Sequence, residues 1–391
     1  MRQRVFLDFN STTPVAPEVL EAMSPYLHGR YGNPSSIHAE GREARGAVET
    51  ARSEVAAWFG VAPEAVVFTG SGSEGNHLAV RGTVRAAAAQ GDSRRHLVTS
   101  ALEHPSVAAC FQRLATEGYA VTAVAPTREG IVPVEAVTNA LREDTLLVSL
   151  MHANNETGAV QPVAAVAAAC RSRGIRFHTD VAQSLGKVPE TTDLRADLLT
   201  GSGHKVYGPK GIGFLVRAGD PPLTPLVEGG GQEAGLRAGT EHVAGIVGLA
   251  AACRLWRDRG PAWREQLRRL RDRLEDGLRE RIPGAVVNGP DRDHRLPTTA
   301  NVSFPGVDGV TLSMNLDLEG FAVSTGSACH SGVPGGSATL AAMGLSEDRG
   351  RGAIRFSVGH GITEAQIDAL LEVIGPLVER SAAKQSTSQA M

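Results

Sequence analysis

A chain of 391 residues has room for a large domain and a smaller one around a substantial core. Its 42% hydrophobic and 21% charged residues are those of an ordinary globular protein, and a net charge of −3 excludes nucleic-acid or membrane binding by bulk attraction. No apolar run could span a bilayer, no basic-then-apolar signal opens the chain, and the cysteines at 110, 170, 253 and 329 form no CxxC pair. A disulfide framework or metal site is therefore not expected, and a reducing cytoplasm is.

Val5-Phe6-Leu7-Asp8 reads as a short strand, followed by the polar loop Asn10-Ser11-Thr12-Thr13-Pro14. Pro17 opens a helix to Tyr26, and a second, amphipathic helix runs from Arg42 to Phe59. Strands and helices then alternate. Strands are expected over Ala65–Thr69, His96–Thr99, Thr145–Met151 and Ile175–His178, with helices near Asn76–Ala89 and Val163–Arg173. That alternation predicts an α/β fold with a mainly parallel sheet covered by helices, whose site lies beyond the carboxyl ends of the strands. His104, Asn155, Asp180 and Lys205 all fall at such ends.

Pro221–Gly245 is glycine-rich and reads as a loop. Ile246–Trp256 and Trp263–Ile282 read as two helices, the second with Leu267, Leu270, Leu274 and Leu278 on one face and an ion-paired, solvated charge run opposite. Short strands at Val302–Phe304, Phe321–Val323 and Ala353–Phe356 and a helix near Glu364–Ile374 suggest a smaller α+β domain. The expected division is 14–256 for the large domain and 1–13 with 257–380 for the small one. Residues 381–391 form an expected frayed tail.

The chemistry gathers around Ser202-Gly203-His204-Lys205-Val206-Tyr207-Gly208-Pro209-Lys210-Gly211. A lysine in a Gly/Ser turn after an apolar run is held by backbone, as a Schiff-base amine must be; a P-loop fails because Gly211 follows Lys210. Gly70-Ser71-Gly72-Ser73-Glu74-Gly75, between a strand and a helix, suits a phosphate. It also spells a dinucleotide-binding pattern, but the acid expected about 20 residues on is poorly placed at Glu103. Asp180 is either a helix cap or the partner of a pyridinium nitrogen. Gln183 faces the same side and can reach a ring hydroxyl. His104 is either a polar loop-end residue or a ring that stacks on a cofactor and shuttles protons. Cys329, in Ser324-Thr325-Gly326-Ser327-Ala328-Cys329-His330-Ser331-Gly332, is a candidate nucleophile; Cys110, Cys170 and Cys253 sit in apolar helical contexts and read as packing residues.

Together with His178-Thr179-Asp180-Val181-Ala182-Gln183-Ser184, Asn154-Asn155-Glu156-Thr157-Gly158 and Gly229-Gly230-Gly231-Gln232-Glu233, the lysine segment resembles the cysteine desulfurase family, class V, fold-type I enzymes of pyridoxal 5'-phosphate (PLP). The similarity runs from Leu7-Asp8 to Arg355-Phe356-Ser357-Val358-Gly359. It implies that Lys205 forms the Schiff base, Asp180 meets the pyridine nitrogen, Gln183 the ring hydroxyl, and His104 stacks. It further implies phosphate contacts from Gly72, Ser73, Ser202, His204 and Thr240 of the partner subunit, hence a homodimer with shared sites. Cys329 becomes the persulfide carrier, Arg355 the carboxylate grip with Asn155 and Asn33 as helpers, and a sulfur-acceptor protein is implied. Val333-Pro334-Gly335-Gly336-Ser337 stands where many relatives carry Glu-Pro-Ser. Ala328-Cys329-His330-Ser331 with Gly229–Glu233 is also similar to selenocysteine lyases, so L-selenocysteine stays open beside L-cysteine.

Overall fold

The computed structural model describes residues 4–325 and 337–388. The chain enters through β1 (Val5–Phe6), then α1 (Pro17–His28), which begins on Pro17 as the missing N–H of proline permits. α2 (Ala39–Phe59) is capped by the His38 side chain and closes on Gly60 in the left-handed region at φ 63°. Seven strands follow: β2 (Val66–Thr69), β3 (His96–Ser100), β4 (Ala120–Val124), β5 (Thr145–Ser149), β6 (Arg176–Asp180), β7 (Leu198–Ser202) and β8 (Gly213–Arg217). They form one sheet in the order β2-β8-β7-β6-β5-β3-β4, parallel except for β8, which runs antiparallel to both neighbours. β2, β3, β5, β7 and β8 are buried at every position, as strands covered on both faces must be.

The helices that cover them include α3 (Gly72–His77), which continues through a π turn (Leu78–Gly82) into α4 (Thr83–Ala89). Next come α5 (Pro105–Thr116), α6 (Val134–Ala140) and α7 (Val163–Ser172). β4, β8, α5 and α6 are absent from the sequence reading. β4 is a half-exposed edge without a strong apolar run, and α6 is too short to show a period.

The two expected helices 246–256 and 263–282 are a single 39-residue helix, α8 (Val243–Arg281), with Pro261 inside it. Proline punctuation suggests a break. Packing wins instead, because Trp256 and Trp263 on either side of the proline are both buried and meet edge-on at 5.2 Å. The helix therefore crosses position 256 unbroken. Its charged face also differs from the solvated one expected: Arg271 and Glu275 are buried, and Arg295 pairs with Glu275 at 2.6 Å.

β9 (Val286–Asn288), β10 (Thr299–Ser303) and, after α9 (Gly309–Leu318), β11 (Phe321–Ala322) lead to α10 (Ala338–Ala342), α11 (Glu347–Arg351) and β12 (Ala353–Ser357). β12-β10-β9 is an antiparallel sheet, and β1 pairs with β11 alongside it. α12 (Glu364–Ser388) runs past the point where fraying is expected, and Ser381 is buried on it. Tyr207, Trp256, Trp263 and His360 pack in sequence with centroid separations of 6.0, 5.2 and 4.4 Å, fastening the large sheet's lysine turn to α8 and to the segment after β12.

Gly186 shows how closely that cluster is packed. Its φ is +74°, and a Cβ there would lie 2.5 Å from the Trp256 ring. Gly186→Ala should destabilise the protein by roughly 2–4 kcal/mol, the sum of left-handed strain and overpacking. Thermal unfolding of the variant should show the lowered midpoint.

Candidate active site

Lys205 ends a short 3-10 turn (Gly203–Lys205) directly after β7. Its Nζ donates to the backbone carbonyls of Asn10 and Ser11 at 2.6 and 2.8 Å, so backbone holds the amine as the sequence suggests. The same Asn10 carbonyl accepts from Gln183 Nε2 at 2.9 Å. Gln183 Oε1 in turn accepts from Lys187 Nζ at 3.4 Å. Lysine has only protons to give, so the Gln183 oxygen must face Lys187 and its NH₂ must face the site.

Asp180 ends β6, with Oδ1 accepting from Ala182 N at 2.8 Å and Oδ2 from Asn76 Nδ2 at 2.7 Å. Asn76 also donates to Ser106 Oγ at 2.9 Å, and that hydroxyl lies 2.7 Å from His104 Nδ1. His104 is the N-cap of α5, its Nδ1 also accepting from Ser106 N at 3.2 Å. At the α3 end, Ser71 caps Glu74 N, and Glu74 reaches back to Gly70 N at 2.8 Å. Gly72 lies against β7, where a Cβ on it would come 3.2 Å from Ser202 Cβ. Ser73 is exposed beside it.

The glycine-rich loop is tied down at two points. Glu233, at φ 50°, forms a bidentate pair with Arg52 at 2.8 and 2.9 Å and accepts from Phe68 N. Arg237 pairs with Glu74 at 2.9 Å, linking the loop to the helix end that suits an anion. Thr240, past these anchors, is exposed.

Arg355 lies mid-strand in β12 rather than at its end, and is 4% exposed. Its guanidinium bonds Asp8 Oδ1 at 2.6 Å and the Asn155 carbonyl at 3.0 Å. Asn155 therefore stands beside Arg355 through its backbone. His204 Nδ1 lies 3.1 Å from Thr12 Oγ1. Asn33 is exposed and accepts from Ser35 N at 2.9 Å. Among the described residues no hydrogen bond joins Asn33 or Thr240 to the cluster, and no group of three or more His, Cys, Asp or Glu could hold a metal. Cys329 lies outside the described residues. The other three cysteines are buried packing groups, their thiols pushed up to about 12 by burial.

Burial sets the charge of several neighbours. His204 is pushed down to about 4 by desolvation, then by the charges of Lys205, Lys210 and Lys187. Glu103, next to His104, is pushed up to about 8 by desolvation despite bonds from Met151 N and Ser100 Oγ, so it is largely protonated at neutral pH. Lys187 is pushed down to about 7 by desolvation, then by Lys205 and Arg355, and no acid pairs with it among the described residues. Lys205 and Gln183 thus meet at the Asn10 carbonyl, while Asp180, Asn76, Ser106 and His104 form a second hydrogen-bonded chain.

Asn10, Asn76, Ser106 and Lys187 belong to this network and are not among the site residues read from the sequence. Asn10 is 1% exposed although it lies in a polar loop, and no local pattern marks a buried loop asparagine.

The family model for aminotransferase class-V matches residues 5–370. The cysteine desulfurase IscS of Dictyoglomus turgidum is 40% identical over 381 residues, 97% of this chain and 96% of that protein. The cysteine desulfurase of Trichormus azollae is 43% identical over 379 residues, 96% and 93% of the two chains. A solved structure described as a NifS-like protein superposes with a TM-score of 0.89 at 35% identity, covering 97% of this chain and all of that one (100%).

Lys187 gives a test of the charge balance. Its amine sits at about 7 when folded, against 10.5 for a lysine free in water. Between those values the unfolded chain binds the extra proton, so stability rises with pH. Below about pH 7 both states are charged and the full penalty of burying the ammonium remains. Lys187→Met should therefore raise stability by up to about 5 kcal/mol near pH 6, with the gain fading as pH passes through ~10. Unfolding midpoints of both proteins across that range would show it; a constant difference at every pH would contradict it.

Proposed function

The chain belongs to the aminotransferase class-V family, and from that membership we propose that it is a PLP-dependent cysteine desulfurase, turning L-cysteine into L-alanine and passing the sulfur to Cys329. The observation that carries the reading is the joint hold of Lys205 and Gln183 by one carbonyl, that of Asn10. It brings the Lys205 amine and the Gln183 amide to one oxygen. The donor set fits PLP. Asp180 suits the pyridine nitrogen, Gln183 the ring oxygen and Lys205 the aldehyde carbon, with His104 stacked on the ring. Gly72, Ser73, Ser202, His204 and Thr240 of a second copy suit the phosphate.

PLP, when bound, supplies the electron sink that makes the substrate Cα proton removable. Asp180 keeps a proton on the ring nitrogen, as an acceptor-only group can. The Lys205 amine is the base that would take the proton from the substrate Cα and return one. Arg355 grips the substrate carboxylate, helped by Asn155 and Asn33; in this chain it already makes two bonds to oxygen acceptors, Asp8 and the Asn155 carbonyl. The Cys329 thiolate attacks the substrate sulfur. The new S–S bond forms as the Cβ–S bond breaks, its electron pair stays with the carbon fragment, and protonation there yields alanine.

A large domain over 14–256 and a small one over 1–13 and 257–380 complete the reading; the tail expected from 381 is not kept, because α12 carries on to Ser388 with Ser381 buried on it. The separate β1-β11 and β12-β10-β9 sheets support that division. A homodimer with shared sites, a sulfur-acceptor protein as partner and a cytoplasmic location belong to the same proposal. Among the described residues no helix is long and apolar enough to cross a membrane.

Cys329→Ala should abolish alanine formation from L-cysteine while leaving the PLP absorbance intact, because only the sulfur acceptor is lost. The same variant should keep partial activity on L-selenocysteine, whose selenol is the better leaving group. Asp180→Asn should retain PLP and lose roughly 10³-fold in kcat, since an amide cannot keep the ring nitrogen protonated. Alanine release and PLP content of both variants are the measurements, and undiminished desulfuration by Cys329→Ala would falsify the sulfur-transfer step.

A further inference from the structure

Two side chains, Asn76 and Ser106, connect Asp180 to His104, and the polarity of each link is dictated by the one before it. The Asp180 carboxylate is an acceptor, so Asn76 must turn its NH₂ toward Oδ2, 2.7 Å away. Turning the amide over would set Oδ1 against a carboxylate oxygen. The same Nδ2 therefore donates to Ser106 Oγ at 2.9 Å. A hydroxyl that accepts there has its own single proton free to point elsewhere, and His104 Nδ1 lies 2.7 Å away. The Ser106 backbone N–H points to the same nitrogen at 3.2 Å, because His104 caps α5. Two donors converge on Nδ1, so the nitrogen must be a bare acceptor, and the ring proton must sit on Nε2.

We propose that Asn76 and Ser106 are positioning residues that hold neutral His104 as its Nε2–H tautomer, making it a fixed hydrogen-bond donor in the site rather than a base. A pyrrole-type Nε2 has no lone pair with which to take a proton, and Nδ1 is occupied by two donors. His104 then stacks and donates one hydrogen bond, and the Cα proton belongs to Lys205 alone. The inference rests on the desulfurase reading for what that division of labour accomplishes; the tautomer itself does not depend on it.

Neutron diffraction from deuterium-exchanged crystals of the PLP-loaded enzyme reads the tautomer directly. A deuteron on Nε2 and none on Nδ1 is the expected result; a deuteron on Nδ1, alone or together with Nε2, overturns the proposal. Ser106→Ala removes the hydroxyl donor from Nδ1 and leaves the backbone N–H at 3.2 Å alone. Deuteron occupancy should then spread in part to Nδ1, and occupancy of Nε2 alone, as in the parent, would show that the Asn76–Ser106 chain does not set the tautomer. In the reaction, His104→Gln places an amide N–H where Nε2–H stands, and should keep kcat within about tenfold of the parent. His104→Phe keeps only the stacking face and should fall well below it at unchanged PLP content. Equal loss in the two variants would mean that His104 carries protons and would sink the donor role. Failure of the parent enzyme to release alanine would count against the desulfurase reading, while the neutron result would still decide the tautomer.

Discussion

The site depends on one carbonyl oxygen. Asn10 C=O accepts from Lys205 Nζ and from Gln183 Nε2, while the rest of the residue ties the same point to the smaller sheet. Its backbone N–H donates to Ser357 Oγ at 2.9 Å, and its side chain to Thr299 Oγ1 at 2.8 Å and the Asn155 carbonyl at 3.1 Å. A buried backbone oxygen cannot titrate and cannot rotate away. Such an anchor costs no side-chain entropy and fixes the amine regardless of pH. The N-terminal segment is thus a wedge between two sheets, with the reactive lysine resting on its edge.

Around that wedge the protein excludes charge where it can and pairs it where it cannot. Glu103 and Lys187, both buried without an opposite charge in contact among the described residues, shift toward their neutral forms. Arg52 and Arg355 are instead paired, with Glu233 and Asp8 meeting them directly. The first pair fixes the glycine-rich loop to α2 and β2. The second sets a guanidinium beside Asn155, where a substrate carboxylate could exchange for part of its present company. Buried pairs of this kind contribute specificity of position more than net stability.

Much of this was legible in the sequence, and the reason is physical. Parallel strands buried on both faces are short apolar runs, and the residues that follow them are the ones a sheet of this type presents to a ligand. That logic located Asp180, Lys205 and the Gly70–Gly75 turn. Arg355 escaped it, sitting mid-strand in the smaller antiparallel sheet. Asn10, Asn76, Ser106 and Lys187 were silent because their roles come from contacts between segments as far apart as Asn10 and Lys205, to which no local period corresponds. The helix break assigned between 256 and 263 failed for a related reason. A proline's local preference was outweighed by two tryptophans that meet only in the folded chain.

α8 carries a mechanical consequence. At about 1.5 Å per residue its 39 residues extend for roughly 58 Å, beginning against α1 and α2 and ending beside α12 and β10. Neither half can melt while the other stays intact, because losing either end strips the apolar cover from a rod that both share. Denaturation should therefore pass through one sigmoid, with calorimetric and van't Hoff enthalpies in agreement for a given assembly state. Two sheets that look separable in topology then behave as a single cooperative unit.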